Sequence, residues 1–381
     1  MDKIKQYIKS IEKKHNFIYK LLKKTYTLLS KMKYNFFHFS EKIKMNRYFE
    51  KEISQAIKII EEYREKEYIV FYNPTWLGVA NSTKGLFKYI VPLEQVYKKR
   101  DAKRIAKVIL ENNIKTVIFS QIVDGWTSII EKIKETNNDI CVKVIWHGNC
   151  YEYFSDYTWN LNKEVMRLYN NNKIQAFGFV RTIMKEFYER AGYKSYYLQN
   201  NVHLDNIARI QKKDKLIRIG VYNADSRELK NIYTTLAAIK NVGVATADVV
   251  PINSGATEFC KIIDLNITKE KEYIPNEDLL LRIQNNSINV YSTFTENSPM
   301  FPIESFEIGV PCLIGNNNDF FIGTELEDYV VLKREDDIEY LKNKIIYCME
   351  NREKIMELYK KWKIEFDKKC NCLVENFIKY E

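Results

Sequence analysis

Two hydrophobic rhythms divide this chain. Up to residue 66, apolar positions recur every three or four residues; beyond it, short apolar runs alternate with stretches of helical spacing. In the first part Ile4, Ile8, Ile11, His15, Ile18, Leu22, Thr25, Leu29, Met32, Phe36, Phe39 and Ile43 fall at alternating steps of four and three, and neither Gly nor Pro occurs before Pro74. That pattern predicts a long amphipathic helix or a coiled-coil seam, with His15 a structural member of it. Helical spacing continues over residues 48–66 through Ile53, Ile57, Ile60 and Tyr63.

At residue 67 the period changes. Strands are predicted over 68–72, 116–120, 142–146, 175–180 and 196–198, with a turn-rich loop over 73–82 leading into a helix and further helices over 101–111, 125–134 and 182–191. A second set follows: a strand over 218–221, a polar loop over 222–229, a helix from Lys230 to 240, a turn at Asn253-Ser254-Gly255 and a helix ending at 284. Strands over 288–291 and 312–314 and two helices over 336–350 and 352–366 complete the pattern. Strands alternating with helices predict an α/β fold of doubly wound, mostly parallel sheets. The expected domains are a helical arm (1–66), a first Rossmann-like domain (67–205), a second (206–350) and a C-terminal helix (351–381), with the hinge at 200–214.

Ligands in such folds lie past the carboxyl ends of the strands. The stretch 288–315 has the form strand, polar loop, helix, Gly309-Val310-Pro311 stop, strand, which is a phosphate-holding arrangement in an open sheet. It carries two carboxylates, Glu296 in the loop and Glu304 in the first helical turn, with seven residues between them. Both are placed to face one crevice, where a carboxylate reads sugar or ribose hydroxyls or steadies positive charge on a reacting carbon. The plainer alternative is that Glu304 complements a helix N-terminus and Glu296 is solvated. Lys230 opens a helix, an unfavourable place for a cation unless an anion shares the site. His147 ends the strand 142–146 and sits where the crevice is expected, or else is a core or capping histidine.

Glu296, the seven-residue spacing, Glu304 and the following Ser305-Phe306-Glu307-Ile308-Gly309-Val310-Pro311 resemble the E-x7-E signature of retaining GT-B glycosyltransferases of family 4. The loop Asn297-Ser298-Pro299-Met300 departs from that family in having no glycine. The resemblance covers about residues 67–366 and implies a GT-B fold, two Rossmann-like domains facing a cleft. It implies transfer of a sugar from a nucleotide diphosphate sugar, UDP- or GDP-linked, to a glycan or glycolipid acceptor hydroxyl with retention. Lys230, with Ser298, Pro299 and Met300 at the helix N-terminus, would then hold the donor diphosphate, and Gly78 would let the backbone approach it. The family's upstream arginine corresponds here to Asn223, with Arg227 close by. Glu304 would bind the ribose, Glu296 and His147 would lie at the donor sugar, and Ile274 would flank the base. The segment Gln199-Asn200-Asn201-Val202-His203-Leu204-Asp205 is similar to the Asn-x-Val-Asp segment with which the family leaves the first domain.

Charge changes the picture at one place. The chain's net charge is +10, and residues 1–47 hold thirteen Lys and Arg against three acidic residues, so the arm carries the whole excess. An anionic membrane surface, self-association and packing on the enzyme body all fit such an arm. Nucleic acid is not expected, since the body offers no basic groove interleaved with aromatics. No Asp-x-Asp motif occurs, so no metal or other cofactor is expected, and the seven scattered cysteines suit reduced thiols. No leader or membrane span is read, which suits a cytoplasmic or peripherally membrane-held protein making cell-surface glycan. Two other functions stay open: a catalytically silent module of this fold binding through its basic arm, and a sugar-nucleotide epimerase, which would need more acid–base groups in the crevice.

Overall fold

The computed structural model describes residues 45, 47–204, 216–222, 228–243, 245–270 and 274–379. The chain divides into two units, residues 1–58 and 59–381. In the first, residues 47–58 are helical. The basic pattern over 1–47, apart from residues 45 and 47, lies outside the described residues, as does most of the hinge at 200–214.

The second unit contains two sheets. The first is built from β1 (Tyr68–Tyr72), β2 (Ile90–Pro92), β3 (Thr116–Ser120), β4 (Cys141–Trp146), β5 (Ala176–Phe179) and β6 (Ser195–Tyr197). The second comprises β7 (Ile217–Val221), β8 (Ala245–Val249), β9 (Ile267–Lys269), β10 (Ile288–Tyr291), β11 (Cys312–Gly315) and β12 (Val331–Leu332). Their orders are β2-β1-β3-β4-β5-β6 and β12-β11-β10-β7-β8-β9. Each neighbouring pair is parallel.

Buried parallel strands have both faces covered, and all five residues of β3 are indeed buried. The helices that cover them show one apolar stripe: in Lys99–Glu111, Ala102, Ile105, Ala106 and Ile109 are buried. Around the first sheet Phe71 and Phe119 stack with centroids 5.2 Å apart, and Trp126 packs on both. A larger core surrounds the second sheet and includes Phe306, Phe320, Phe321, Tyr359 and Phe366.

Among the elements that differ from the sequence pattern, three bear on packing and on the site. The final helix runs Arg352–Lys379, well past residue 366. Its end packs on the first sheet, where Val374 and Phe377 join Val70, Ile118 and Ile145. This contact explains a buried charge: Lys143 on β4 donates to the carbonyls of Phe377 (2.8 Å) and Ile378 (3.0 Å), neutralising the negative end of the helix. Second, a helix at Leu77–Leu86 begins inside the stretch expected as loop. Third, Asn253 caps a helix at Ser254–Ile262 by accepting from Ala256 N, so Asn253-Ser254-Gly255 is a helix start, not a free turn.

Candidate functional site

Each sheet reverses its strand order once, and the site is built at these two places. In the first sheet the reversal lies between β1 and β3; in the second it lies between β7 and β10. A crevice opens at the carboxyl ends of strands wherever neighbouring connections leave to opposite faces. The two crevices meet in one cavity of about 310 Å³. From the first half it is lined by Trp76, Gly78 and Val79 after β1, Gln121 after β3, His147, Gly148 and Glu152 after β4, and Asn200 after β6. The second half contributes Tyr291, Glu296, Asn297, Ser298, Pro299 and Met300, all from the end of β10 and its loop.

Lys230 and Glu296 face each other across the β7–β10 switch. Lys230 ends a one-turn 3₁₀ helix, Glu228–Lys230, after β7. Its Nζ donates to Glu296 Oε2 at 2.8 Å, and Tyr291 OH donates to the same oxygen at 2.8 Å. Glu296 Oε1 accepts from Asn297 N at 3.2 Å. Both charged side chains are largely buried, 11% and 16% exposed, so this pair is held more firmly than a surface ion pair.

The loop between β10 and the next helix is tied to the first half. Arg181 Nη1 donates to the Glu296 carbonyl (2.9 Å), Asn200 Nδ2 to the Ser298 carbonyl (2.7 Å), and Asn297 Nδ2 to Glu152 Oε1 (3.0 Å). Three buried polar atoms here, Thr293 Oγ1, Asn297 Oδ1 and Ser298 Oγ, have no hydrogen-bond partner among the described residues. Buried polar groups are normally satisfied, so this cluster suits a loop that receives a polar ligand.

The helix itself is Phe301–Glu307, with Pro302 in its first turn. It stops at Gly309, whose φ of +87° is the left-handed conformation that ends helices. Gly309 N and Val310 N return to the carbonyls of Phe306 and Ser305. Asn289 Nδ2 donates to Ser305 Oγ (2.7 Å), which fixes the helix against β10. Glu304 does not line the cavity that holds Glu296. It borders a neighbouring one of about 280 Å³ with Asn81, Lys84, Gly85, Asn201 and His203; Met300 lines both. Its carboxylate has no hydrogen-bond donor among the described residues, and burial pushes its pKa up to about 7.

His147 is a lining residue of the larger cavity. Its backbone N–H donates to Gln121 Oε1 (2.9 Å) and its Nε2 lies 2.8 Å from Ser120 Oγ. Burial lowers its pKa to about 4, so the imidazole is neutral at pH 7. Gly78 lies in the first turn of Leu77–Leu86, and a Cβ there would meet nothing within 4 Å. Packing therefore does not require the glycine, which is exposed and lines the cavity. Gly78→Leu is expected to keep or raise stability, by up to about 1 kcal/mol from helix propensity, while filling space that a ligand would use. Denaturation curves alongside ligand titrations would show the two effects separately.

Ile274 is half-buried against the second core and lines neither cavity. Asn223 and Arg227 lie outside the described residues. Tyr291, Gln121, Glu152 and Arg181 were not singled out from sequence, and Asn200 only as part of the exit from the first domain. Their one legible signal is position, since each follows the end of a strand that borders the cleft or stands at its end.

No protein-family model matches the chain, and no curated protein matches it by sequence. Solved structures do. Trehalose-6-phosphate synthase OtsA superposes with a TM-score of 0.54 at 8% identity, over 82% of this chain and 98% of that one. The α,α-trehalose-phosphate synthase (UDP-forming) of Burkholderia xenovorans, in complex with glucose-6-phosphate, gives 0.54 at 9% identity, over 82% and 99%. The E. coli protein bound with UDP-2-fluoro glucose gives 0.52 at 9%, over 82% and 98%. Likeness at such low identity establishes architecture. The fold is α/β of the GT-B kind: two parallel six-stranded sheets with interleaved helices.

Proposed function

We propose that this protein is a glycosyltransferase that moves a sugar from a nucleoside diphosphate sugar to an acceptor hydroxyl. The observation that carries the reading is the Lys230–Glu296 pair at the β7–β10 switch, whose Glu296 lines a cavity shared with the loops of the first sheet. The similar structures include proteins named for UDP-forming synthesis or bound with a UDP-sugar, which agrees with this chemistry.

In this reading the diphosphate lies between Lys230 and the backbone N–H groups of Ser298 and Met300, Pro299 between them having none to donate. Breaking the glycosidic bond leaves charge on the diphosphate, and preformed donors stabilise that charge most when water is excluded. Glu296, oriented by Tyr291 and Lys230, faces the donor sugar, and His147 reads a hydroxyl near it. Glu304, in its own cavity, takes the ribose hydroxyls. Retention at the anomeric carbon and family 4 membership are proposed from the resemblance of Glu296 to Pro311 to that family's signature, and metal independence is proposed with them. A role in cell-surface glycan or glycolipid synthesis rests on the basic arm, which suits an acceptor at an anionic surface. Among the described residues no helix is long and apolar enough to cross a membrane.

Thermal unfolding with UDP, GDP, ADP and their sugars tests the reading. One nucleotide series should raise the melting temperature, since ligand at a hundredfold excess over Kd adds about 2.7 kcal/mol. The shift should vanish in Lys230→Ala. No shift with any nucleotide would count for a silent module of the same fold.

A further inference from the structure

The tautomer of His147 is set by hydroxyl groups behind the cleft. Thr83, in the helix Leu77–Leu86, places Oγ1 at 2.8 Å from the Val79 carbonyl. A carbonyl only accepts, so the single hydroxyl proton of Thr83 is spent there. Thr83 Oγ1 also lies 2.6 Å from Ser120 Oγ. With the threonine proton committed, Ser120 must be the donor in that bond. Ser120 also has one proton, so it has none for its third partner, His147 Nε2, at 2.8 Å. The imidazole must therefore donate.

We infer that Thr83 and Ser120 are positioning residues that hold His147 as the Nε2–H tautomer, with Nδ1 left as a bare hydrogen-bond acceptor for a ligand in the cleft. Ser120 is 1% and Thr83 0% exposed, so water does not compete for these bonds. No described residue bonds Nδ1, and His147 lines the larger cavity. The group that meets this nitrogen is a hydroxyl or N–H donor; an ether oxygen or fluorine at the same place is refused, because two acceptors would face each other. Taken with the glycosyl-transfer reading, on which this clause alone rests, His147 recognises a sugar hydroxyl and does not act as an acid.

The test uses the full-length protein labelled with ¹⁵N-histidine and long-range ¹H–¹⁵N NMR, which distinguishes protonated from bare ring nitrogens. The chain has four histidines, and His147→Gln assigns the signal of interest. The native protein is expected to show Nε2 protonated and Nδ1 bare. Thr83→Val removes the acceptor for the Ser120 proton, which then turns to Nε2, so the imidazole should switch to Nδ1–H. Thr83→Ser restores the hydroxyl and should restore the native pattern. A native spectrum with bare Nε2 overturns the inference, as does a Thr83→Val protein with the native tautomer. Should Thr83→Val fail to fold, the native spectrum alone decides. No substrate enters this measurement, so its failure leaves the glycosyl-transfer reading standing, and a missing nucleotide shift leaves the tautomer standing.

Discussion

Lys230→Ala is expected to slow sugar transfer by about 10²–10³-fold, the usual loss when one preorganised donor to a developing anion is removed. The same change breaks the 2.8 Å bond to Glu296 and leaves that carboxylate with Tyr291 OH and the Asn297 N–H as its remaining partners. Stability should fall by about 1–3 kcal/mol, the cost of stranding a largely buried polar group. Glu296→Gln in the same background removes the stranded charge, and part of the stability should return without any return of transfer. Urea denaturation and nucleotide-release rates on the single and double variants check both halves. Native-like transfer by Lys230→Ala would remove Lys230 from the diphosphate site.

Glu304→Gln should make the protein more stable at alkaline pH. The Glu304 carboxyl has a pKa of about 7 in the folded chain because burial disfavours its charged form. The folded state therefore binds this proton more tightly than the unfolded state, whose carboxyl titrates near 4.3. Its contribution is fully present below about pH 4, is lost as pH rises through about 7, and leaves a charged group on the order of 3 kcal/mol out of favour above that. Glutamine is neutral throughout, so the variant should exceed the native protein by about 2–3 kcal/mol at pH 8 and match it near pH 4. Ribose hydroxyls donating to the carboxylate would favour its charged form. Nucleotide binding should then release a proton and tighten as pH rises from 5 to about 7, and this dependence should be flat in Glu304→Gln. Calorimetry in two buffers of different ionisation enthalpy reads the proton directly. Equal stability of the two proteins at pH 8 would contradict the account.

Much of this was legible in the chain because parallel strands are buried on both faces. The runs at 68–72, 116–120 and 288–291 appear as strands at those positions. The short strands Ile90–Pro92, Ile267–Lys269 and Val331–Leu332 escaped because two or three residues carry no period. The helix Leu77–Leu86 was expected to start only after the loop 73–82, because Asn81 and Ser82 are poor helix formers. Tertiary bonds hold the helix in place: Ser82 Oγ donates to Asn200 Oδ1, and Thr83 Oγ1 and Ser120 Oγ share a hydrogen bond. The helix Asp156–Asn170 was missed outright. The last helix continued because Phe366, Cys370, Val374 and Phe377 extend its apolar stripe.

At the site, spacing was enough to single out Glu296 and Lys230, but not to pair them. They are 66 residues apart, and their contact exists because β7 and β10 are neighbours, a long-range fact that no local pattern carries. Spacing also placed Glu296 and Glu304 in one crevice, whereas a helical turn and Met300 separate them into adjoining cavities. His147 was found by its place at the end of a strand, while the hydroxyl chain behind it depends on β3 and the helix Leu77–Leu86 meeting.

The most direct test of the central claim is a nucleotide-release assay on the native protein with a panel of UDP-, GDP- and ADP-sugars. The account predicts that one donor series releases its nucleoside diphosphate, and that Lys230→Ala and Glu296→Gln each suppress the release. Absence of release from every donor, or release that survives both substitutions, would contradict it.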